Sequence, residues 1–201
     1  MGGLFDQSAL LIATTNPGKV REIMMALAGL PLRLLSLRDV APVTEPEEPG
    51  ATFAENALGK ARYYAAHSGV PTVADDSGLA IDALNGRPGV ASARYTGATY
   101  AEKFVNLYRE LAPHPRPWTA RFVCAVALVA PGEAAPVFTA EATVEGEIAD
   151  APKGTNGFGY DPIFFYPPYG QTLGEADDRA KIAVSHRGKA FAQLREWIER
   201  R

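Results

Sequence analysis

The chain has 201 residues, of which 47% are hydrophobic and 21% are charged, a composition that predicts a folded protein with a sizeable core and excludes a disordered one. Its net charge of −3 argues against a protein that coats nucleic acid, but not against a nucleotide ligand whose phosphates are screened by a cation. The single cysteine allows no internal disulfide, the apolar runs are far shorter than the ~20 residues of a membrane span, and no signal-peptide pattern opens the chain, so we expect a soluble cytoplasmic protein.

Strand and helix patterns alternate through the first part of the chain. In order, they predict a strand at 9–14 (ALLIAT), a helix at 17–29, a strand at 32–37 (LRLLSL), a Pro- and Glu-rich loop at 38–50, a helix at 52–67 and a strand from 71 (PTVADD). Asn16 as N-cap and Pro17 at the first position open the first helix, and Thr52 with Glu55 forms a capping box for the second. We expect Ser77-Gly78 to turn the chain after the third strand.

The second part of the chain has a different pattern. It predicts an irregular segment at 85–97, a helix at 99–111, two antiparallel strands at 120–130 and 136–148, a short apolar segment at 163–166 and an amphipathic helix at 185–200 that Ser185 could cap. Alternation in one half and hairpin strands in the other indicate an α/β protein with a mixed sheet.

The segment TTNPGK is a strand-to-helix turn that ends in a lysine. Backbone N–H groups and the positive end of the helix dipole can bind a phosphate at such a turn, and Lys19 would add a full charge. The spacing is not that of a P-loop. Taken alone, the turn is better explained as an ordinary capped helix start with an exposed lysine.

The segment VADDSG ends an apolar run on two carboxylates. Because successive strand residues point to opposite faces, Asp75 and Asp76 cannot both face one site if the strand continues through them. One of them could bind Mg²⁺ or orient a water while backbone donors hold the other. Mg²⁺ usually takes one or two carboxylates plus substrate phosphates, and Glu45, Glu47 or Glu48 of the preceding loop could supply the second carboxylate. Alternatively, both aspartates cap a turn.

Two later segments carry groups that suit a planar, polar ligand. GFGYDP puts two aromatic rings on a glycine-rich turn, which can stack on a base or pack on the core. In KIAVSHRGKA, Ser185, His186 and Arg187 start a helix with Lys181 nearby, and they either converge on a ligand or form a solvated surface. The chain contains no GxSxG elbow and no second His at metal-ligand spacing, so nucleophilic serine or cysteine catalysis has no support.

Taken in order, these segments resemble one family. TTNPGK, EEPGATFAENALGKA, ADDSGLAIDALNGRPGVASARY, GFGYDPIF and VSHRGKA are similar to the motifs of the inosine triphosphate pyrophosphatase family, the Ham1-like non-canonical purine NTP pyrophosphatases, over residues 11–194. One departure is TTN where many members have TGN.

The resemblance implies a fold, a reaction and an assembly. The fold is a single domain over 1–201, an elongated α/β protein with a long mixed sheet flanked by helices, two lobes without a separable linker and a central cleft. The reaction is Mg²⁺-dependent hydrolysis of ITP, dITP and XTP between the α and β phosphates, which gives the monophosphate and pyrophosphate and cleanses the nucleotide pool. The family also implies a homodimer.

The resemblance also implies roles for individual residues. Asp76 would be the general base, and Glu47 (with Glu48 as the near alternative) and Asp76 would bind Mg²⁺. The phosphates would be bound by Thr14, Thr15, Asn16, Pro17, Gly18 and Lys19, and Ser77 would also contact the substrate. The base pocket would be formed by Phe158, Gly159, Tyr160, Asp161, Lys181, His186 and Arg187.

The chemistry of the base agrees with these roles. Hypoxanthine and xanthine carry an oxygen at C6, which donors such as Lys181, His186 and Arg187 satisfy, whereas the amino group of adenine would leave them unpaired. A buried donor without a partner costs about 1–3 kcal/mol, so several of them would reject ATP strongly. Guanine also carries an oxygen at C6, so rejection of GTP must depend on its 2-amino group.

Two other functions fit parts of the sequence. A Maf-like pyrophosphatase with a different base preference would share the chemistry, but the SHR donors after FGYD argue against it. A module that senses nucleotides or binds RNA ends would bind without turnover and would not need Asp76.

Overall fold

The computed structural model describes residues 9–201. The strands are β1 Ala9–Ile12, β2 Arg33–Ser36, β3 Thr72–Ile81, β4 Thr119–Val129, β5 Phe138–Ile148, β6 Phe164–Tyr166 and β7 Gln171–Thr172. The helices are α1 Pro17–Ala26, α2 Phe53–Ser68, α3 Tyr100–Leu111, α4 Asp178–Val184 and α5 His186–Glu199. Short 3₁₀ turns lie in several of the connecting segments.

Within this described part, the strands form a seven-stranded sheet in the order β2-β1-β3-β4-β5-β6-β7. β1 pairs in parallel with β2 and with β3, whereas β6 pairs antiparallel with both β5 and β7. The sheet is therefore mixed, and the predicted α/β class with a long mixed sheet is confirmed.

The chain divides into two compact units. Unit 1 contains the described residues up to Asp76 together with Cys124–Ala142 and Arg187–Arg201, and unit 2 contains Ser77–Val123 and Thr143–His186. The predictions of a single domain, two lobes and a cleft stay predictions.

Unit 1 has helices on both faces of its strands. Because side chains alternate along a strand, Leu11 of β1 packs in one apolar cluster while Leu10 and Ile12 pack in another. The first cluster includes Ala57, Ala61, Tyr64 and Ala65 of α2. The second includes Ile23 of α1, Leu27 at the C-cap of that helix, and Ala190, Phe191 and Leu194 of α5. This packing fixes the ends of β1 and β3, where the candidate site lies.

Unit 2 has one main apolar cluster among the described residues. Phe104, Leu107 and Leu111 of α3 pack there with residues of β3, β4 and β5 and with Tyr160 and Phe164. This cluster supports the segment that carries GFGYDP. No helix within residues 9–201 combines the length and the apolar composition that crossing a membrane requires.

The structure differs from the sequence analysis at two places, one expected turn and one helix that was not predicted. Ser77-Gly78 does not turn the chain, because β3 continues through both residues to Ile81. Gly78 is buried, and the backbone N–H of Leu79 is bonded to Ser92 Oγ, so tertiary contacts override the local turn preference. The sequence also missed α4, which Asp177 caps by accepting a hydrogen bond from the Ala180 N–H.

Candidate active site

The TTNPGK turn lies at the carboxyl end of β1 and opens α1. Asn16 is the N-cap, as predicted, and its Oδ1 accepts from the N–H groups of Gly18 (2.9 Å) and Lys19 (3.2 Å). Thr14 Oγ1 accepts from the Asn16 N–H, and Thr15 donates to Glu45. A phosphate here would therefore meet hydroxyl groups and the helix dipole, because the Asn16 cap already occupies two of the first N–H groups.

Asp75 is a fully buried structural acid in unit 1. Its Oδ2 accepts hydrogen bonds from Nε (3.2 Å) and Nη2 (3.1 Å) of Arg187 and lies 3.1 Å from Lys19 Nζ. Burial raises the pKa of Asp75, but the charges of Lys19, Arg187 and Lys60 outweigh burial and hold this pKa well below its usual range. Asp75 is therefore ionised and holds two cations in place.

Asp76, the next residue of β3, has different surroundings. It is 7% exposed, and its Oδ2 accepts a 3.0 Å hydrogen bond from Asn56 Nδ2 of α2. Burial raises the pKa of Asp76, although the Asn56 hydrogen bond and the charges of Lys19 and Lys60 act in the opposite direction. A carboxylate with a raised pKa is a stronger proton acceptor than an ordinary aspartate.

The acidic loop places Glu48 closer to this cluster than Glu47. Glu48 is half-buried and forms an ion pair with Lys60 of α2, which is 8% exposed. Its charge contributes to the raised pKa of Asp76, so the two carboxylates lie within electrostatic reach of one another. Glu47 is exposed. The geometry thus favours Glu48, the alternative in the sequence analysis, as the second carboxylate.

Arg187 has a different set of contacts from the one expected for a base-reading residue. Its guanidinium is 1% exposed and bonds Glu22 of α1 (2.6 Å) as well as Asp75. Breaking a buried ion pair costs about 3–5 kcal/mol, so a base could draw on this guanidinium only at a high cost. These contacts favour a role for Arg187 in fixing Asp75.

Sequence reasoning missed three residues of this cluster, namely Glu22, Asn56 and Lys60. All three are buried polar or charged helix residues, with 4%, 4% and 8% exposure. A signal for two of them was present, because Asn56 and Lys60 are four residues apart on one face of α2 and interrupt its apolar stripe. Glu22 gave no comparable signal.

The charges of this cluster fit a divalent cation. Within the described part of unit 1, three cations (Lys19, Lys60 and Arg187) meet four carboxylates (Glu22, Glu48, Asp75 and Asp76), which leaves one negative charge in excess. Among the described residues, no group of three or more His, Cys, Asp or Glu side chains forms a metal site by itself. Mg²⁺ commonly takes only one or two protein carboxylates and completes its shell with phosphate and water, so Asp76 and Glu48 suit it.

A cavity of about 410 Å³ lies beside the TTNPGK turn in unit 1. It is lined by Thr14, Thr15, Pro17, Val20, Arg21, Ser36, Leu37 and Arg38. These residues come from the carboxyl ends of the parallel strands β1 and β2 and from α1, which is where α/β sheets commonly bind ligands.

In unit 2, the predicted base-binding segment is an ordered turn. Asp161 Oδ2 accepts from the Phe158 N–H (2.7 Å) and pairs with Lys181 of α4, and the Lys181 ammonium lies 4.6 Å from the centre of the Phe158 ring. Tyr160 is buried and donates from its hydroxyl to the Ser92 carbonyl (2.8 Å). The structure thus brings Phe158, Asp161 and Lys181 together, with Asp161 and Lys181 both buried.

The two remaining predicted residues of unit 2 lie on regular elements. His186 begins α5, is 5% exposed and stacks on Phe122 of β4 with ring centres 4.8 Å apart. Ser77 is half-buried on β3, directly after Asp76.

The model of the Ham1 family matches residues 10–197. The chain belongs to the Ham1 family. A curated dITP/XTP pyrophosphatase of Geobacter sulfurreducens is 50% identical over 192 residues, which cover 94% of this chain and 96% of that protein. A dITP/XTP pyrophosphatase of Thermus thermophilus is 49% identical, with 93% and 90% of the two chains covered.

Solved structures agree with this membership. A HAM1 protein from Coxiella burnetii superposes with a TM-score of 0.87 at 40% identity, covering 96% of this chain and 99% of its own. A nucleoside-triphosphatase, dITP/XTP pyrophosphatase, from Mycobacterium abscessus superposes with a TM-score of 0.73 at 45% identity and covers 92% and 98%. The predictions of the family and of a pyrophosphatase enzyme are therefore confirmed.

Proposed function

We propose that this chain hydrolyses non-canonical purine nucleoside triphosphates, namely dITP, ITP and XTP, to the monophosphate and pyrophosphate. The observation that carries the proposal is Asp76, a buried carboxylate with a raised pKa, held by Asn56 beside Lys19 and Lys60. The names of the relatives, which are dITP/XTP pyrophosphatases, support this class of substrate.

The proposed reaction is attack of a water on the α-phosphorus. A bond forms between the water oxygen and the phosphorus while the bond to the bridging oxygen breaks, and pyrophosphate leaves with that electron pair. The Asp76 carboxylate takes the proton of the water. Lys19 and Lys60 supply positive charge near the phosphates, and stabilisation of developing charge by fixed groups is commonly the largest catalytic contribution.

We propose that Asp76 and Glu48 hold a Mg²⁺ ion, with Glu48 replacing Glu47 of the sequence prediction. When bound, the ion would screen the negative charge of the phosphate oxygens and make the phosphorus more susceptible to attack by water. The Asn56 hydrogen bond fixes the orientation of the Asp76 carboxylate.

For the base, we propose a pocket built on Phe158, Gly159, Tyr160, Asp161, Lys181 and His186. The half-buried Phe158 ring suits stacking on a purine, whereas the Tyr160 ring packs in the apolar cluster of unit 2. His186 can donate to a C6 oxygen, and Lys181 can do so only while it keeps its buried ion pair with Asp161. Arg187 is assigned to Asp75 instead, because of its buried ion pairs. From the family resemblance we also infer a cytoplasmic homodimer in which Thr14–Lys19 and Ser77 contact the substrate.

Pyrophosphate release tests the proposal directly. With Mg²⁺, we expect rapid release from ITP, dITP and XTP and slow release from GTP and ATP. Asp76→Asn should lower kcat by at least ~10²-fold, the lower range for loss of a general base. Asp150→Asn, whose side chain is 86% exposed, serves as the matched control and should retain activity.

Three outcomes would contradict parts of this proposal. Release of orthophosphate instead of pyrophosphate would place cleavage at another bond. Equal release from all triphosphates would keep the chemistry and refute the base pocket. Binding of ITP without turnover would favour a nucleotide-binding module.

A further inference from the structure

The proposed base-binding turn, residues 157–161, needs contacts with other elements to hold its conformation. Gly157 and Gly159 adopt the left-handed conformation, with φ of +70° and +68°. Glycine loses more conformational freedom on ordering than any other residue, so a turn with two of them has little intrinsic stiffness. Contacts with neighbouring elements therefore decide how well this turn is preorganised.

Two contacts hold parts of this turn. Lys181 of α4 pairs with Asp161, which in turn accepts from the Phe158 N–H. The hydroxyl of Tyr160 anchors the C-terminal end of the turn to the Ser92 carbonyl. Neither contact covers Gly159, which is half-buried.

Tyr100, the first residue of α3, lies next to Gly159. A Cβ built on Gly159 would lie at van der Waals distance, 3.6–3.8 Å, from Oη, Cζ and Cε1 of Tyr100, so the ring stands beside the glycine with room for about one methyl group between them. The Tyr100 ring also meets the Tyr160 ring edge to face, with centres 5.3 Å apart and planes at 88°. Such aromatic pairs are stabilising beyond their buried area. Burial and the nearby Asp161 carboxylate raise the pKa of Tyr100, which agrees with this placement.

The Tyr100 ring is itself fixed by its own helix. Lys103 Nζ lies 5.0 Å from the ring centre and donates to the Ala93 carbonyl at 2.5 Å, and this lysine is 7% exposed. Phe104 contacts the ring from one turn further along, with centres 6.2 Å apart. Residues three and four apart on a helix are neighbours, so α3 presents Tyr100 in a fixed orientation.

Tyr100 nevertheless remains 39% exposed, a large value for an aromatic side chain in so many contacts. We propose that Tyr100 is a positioning residue for the base-binding turn: its ring holds Gly159 and Tyr160 in the conformation that receives the purine. The proposal rests on the proposed function and adds a residue of α3 to that site.

The role predicts a specific kinetic signature. Tyr100→Ala should raise KM for ITP, and Kd for a non-hydrolysable α,β-methylene analogue of ITP, by roughly three- to tenfold, because binding must then order the turn. The kcat value should change by less than about twofold, because Asp76 is not involved. Tyr100→Phe keeps the ring and should behave as the unaltered chain.

Hydrogen exchange gives a readout independent of turnover. In Tyr100→Ala, amides of residues 157–161 should exchange faster without nucleotide, and saturating analogue should restore their protection. Val105→Ala on the same helix, at a residue 57% exposed, is the matched control and should change neither exchange nor KM. If the alanine variant does not fold, Tyr100→Leu, which keeps apolar bulk but lacks the ring edge, replaces it.

Each outcome decides the proposal. Unchanged KM, Kd and exchange in Tyr100→Ala would overturn it. A Tyr100→Phe variant as impaired as Tyr100→Ala would also overturn it, since the hydroxyl would then contact the base directly. If the unaltered chain binds the analogue but releases no pyrophosphate, the proposed reaction fails while Kd and exchange still decide the role of Tyr100. If the chain does not bind the analogue, both proposals fall.

Discussion

At the scale of single residues, two adjacent aspartates of β3 have different surroundings because they point to opposite faces of the strand. Asp75 is surrounded by cations and ionised, so its charge is used to position Lys19 and Arg187. Asp76 accepts a hydrogen bond from the neutral amide of Asn56 and has a raised pKa. Environments that move the pKa values of neighbouring acids apart are characteristic of acid–base sites. The assignment of Asp76 as the base therefore rests on its surroundings as well as on the motif.

The choice between Glu48 and Glu47 can be tested by substituting each. Glu48→Gln should raise the Mg²⁺ concentration needed for half-maximal activity by at least ~10-fold. Substitutions of residues that only support a metal ligand already lower metal affinity by about this factor. Glu47→Gln should leave it nearly unchanged, because Glu47 is exposed whereas Glu48 faces Lys60 and Asp76. Titration of pyrophosphate release with Mg²⁺ gives the half-maximal concentration for each of the two variants. A larger effect of Glu47→Gln would restore the original assignment.

At the scale of elements, features encoded by neighbouring residues were predictable from the sequence. The Asn16 cap with Pro17, and the Thr52–Glu55 capping box of α2, are local patterns, and both are present. The helix α3 and the strands β4 and β5 followed from periodicity. The turn expected at Ser77-Gly78 failed for the opposite reason, since long-range contacts of a buried strand decide its backbone.

The candidate site was predictable in its residue types but not in its pairings. The motifs marked Lys19, Asp76, Lys181 and Arg187, yet no spacing rule links Arg187 to Glu22, which lies 165 positions earlier. That pair forms because α1 and α5 pack in the same apolar cluster of unit 1. A buried cation must find a carboxylate, but the sequence does not say which one.

At the scale of the whole molecule, the buried charges of unit 1 make stability depend on pH. Asp75 has a pKa held below its usual range in the folded chain, whereas in the unfolded chain it titrates near ~3.9. A depressed folded pKa contributes stability that is fully present above the unfolded pKa and is lost as pH falls toward the folded one. The free energy of unfolding should therefore decline as pH drops below about 4.

Asp75→Asn tests this acid dependence. At pH 7 the variant should be less stable by about 3–5 kcal/mol, because Arg187 and Lys19 lose a buried partner, and the deficit should shrink as pH falls below ~4, where the unaltered chain loses the same contribution. Denaturant unfolding between pH 3 and pH 7 measures the deficit at pH 7 and its change with pH, with Asp150→Asn as the exposed control. A deficit that stays constant across this range would mean that Asp75 stabilises the fold through its shape and hydrogen bonds rather than its charge. A negligible deficit at pH 7 would mean that Glu22 alone satisfies Arg187.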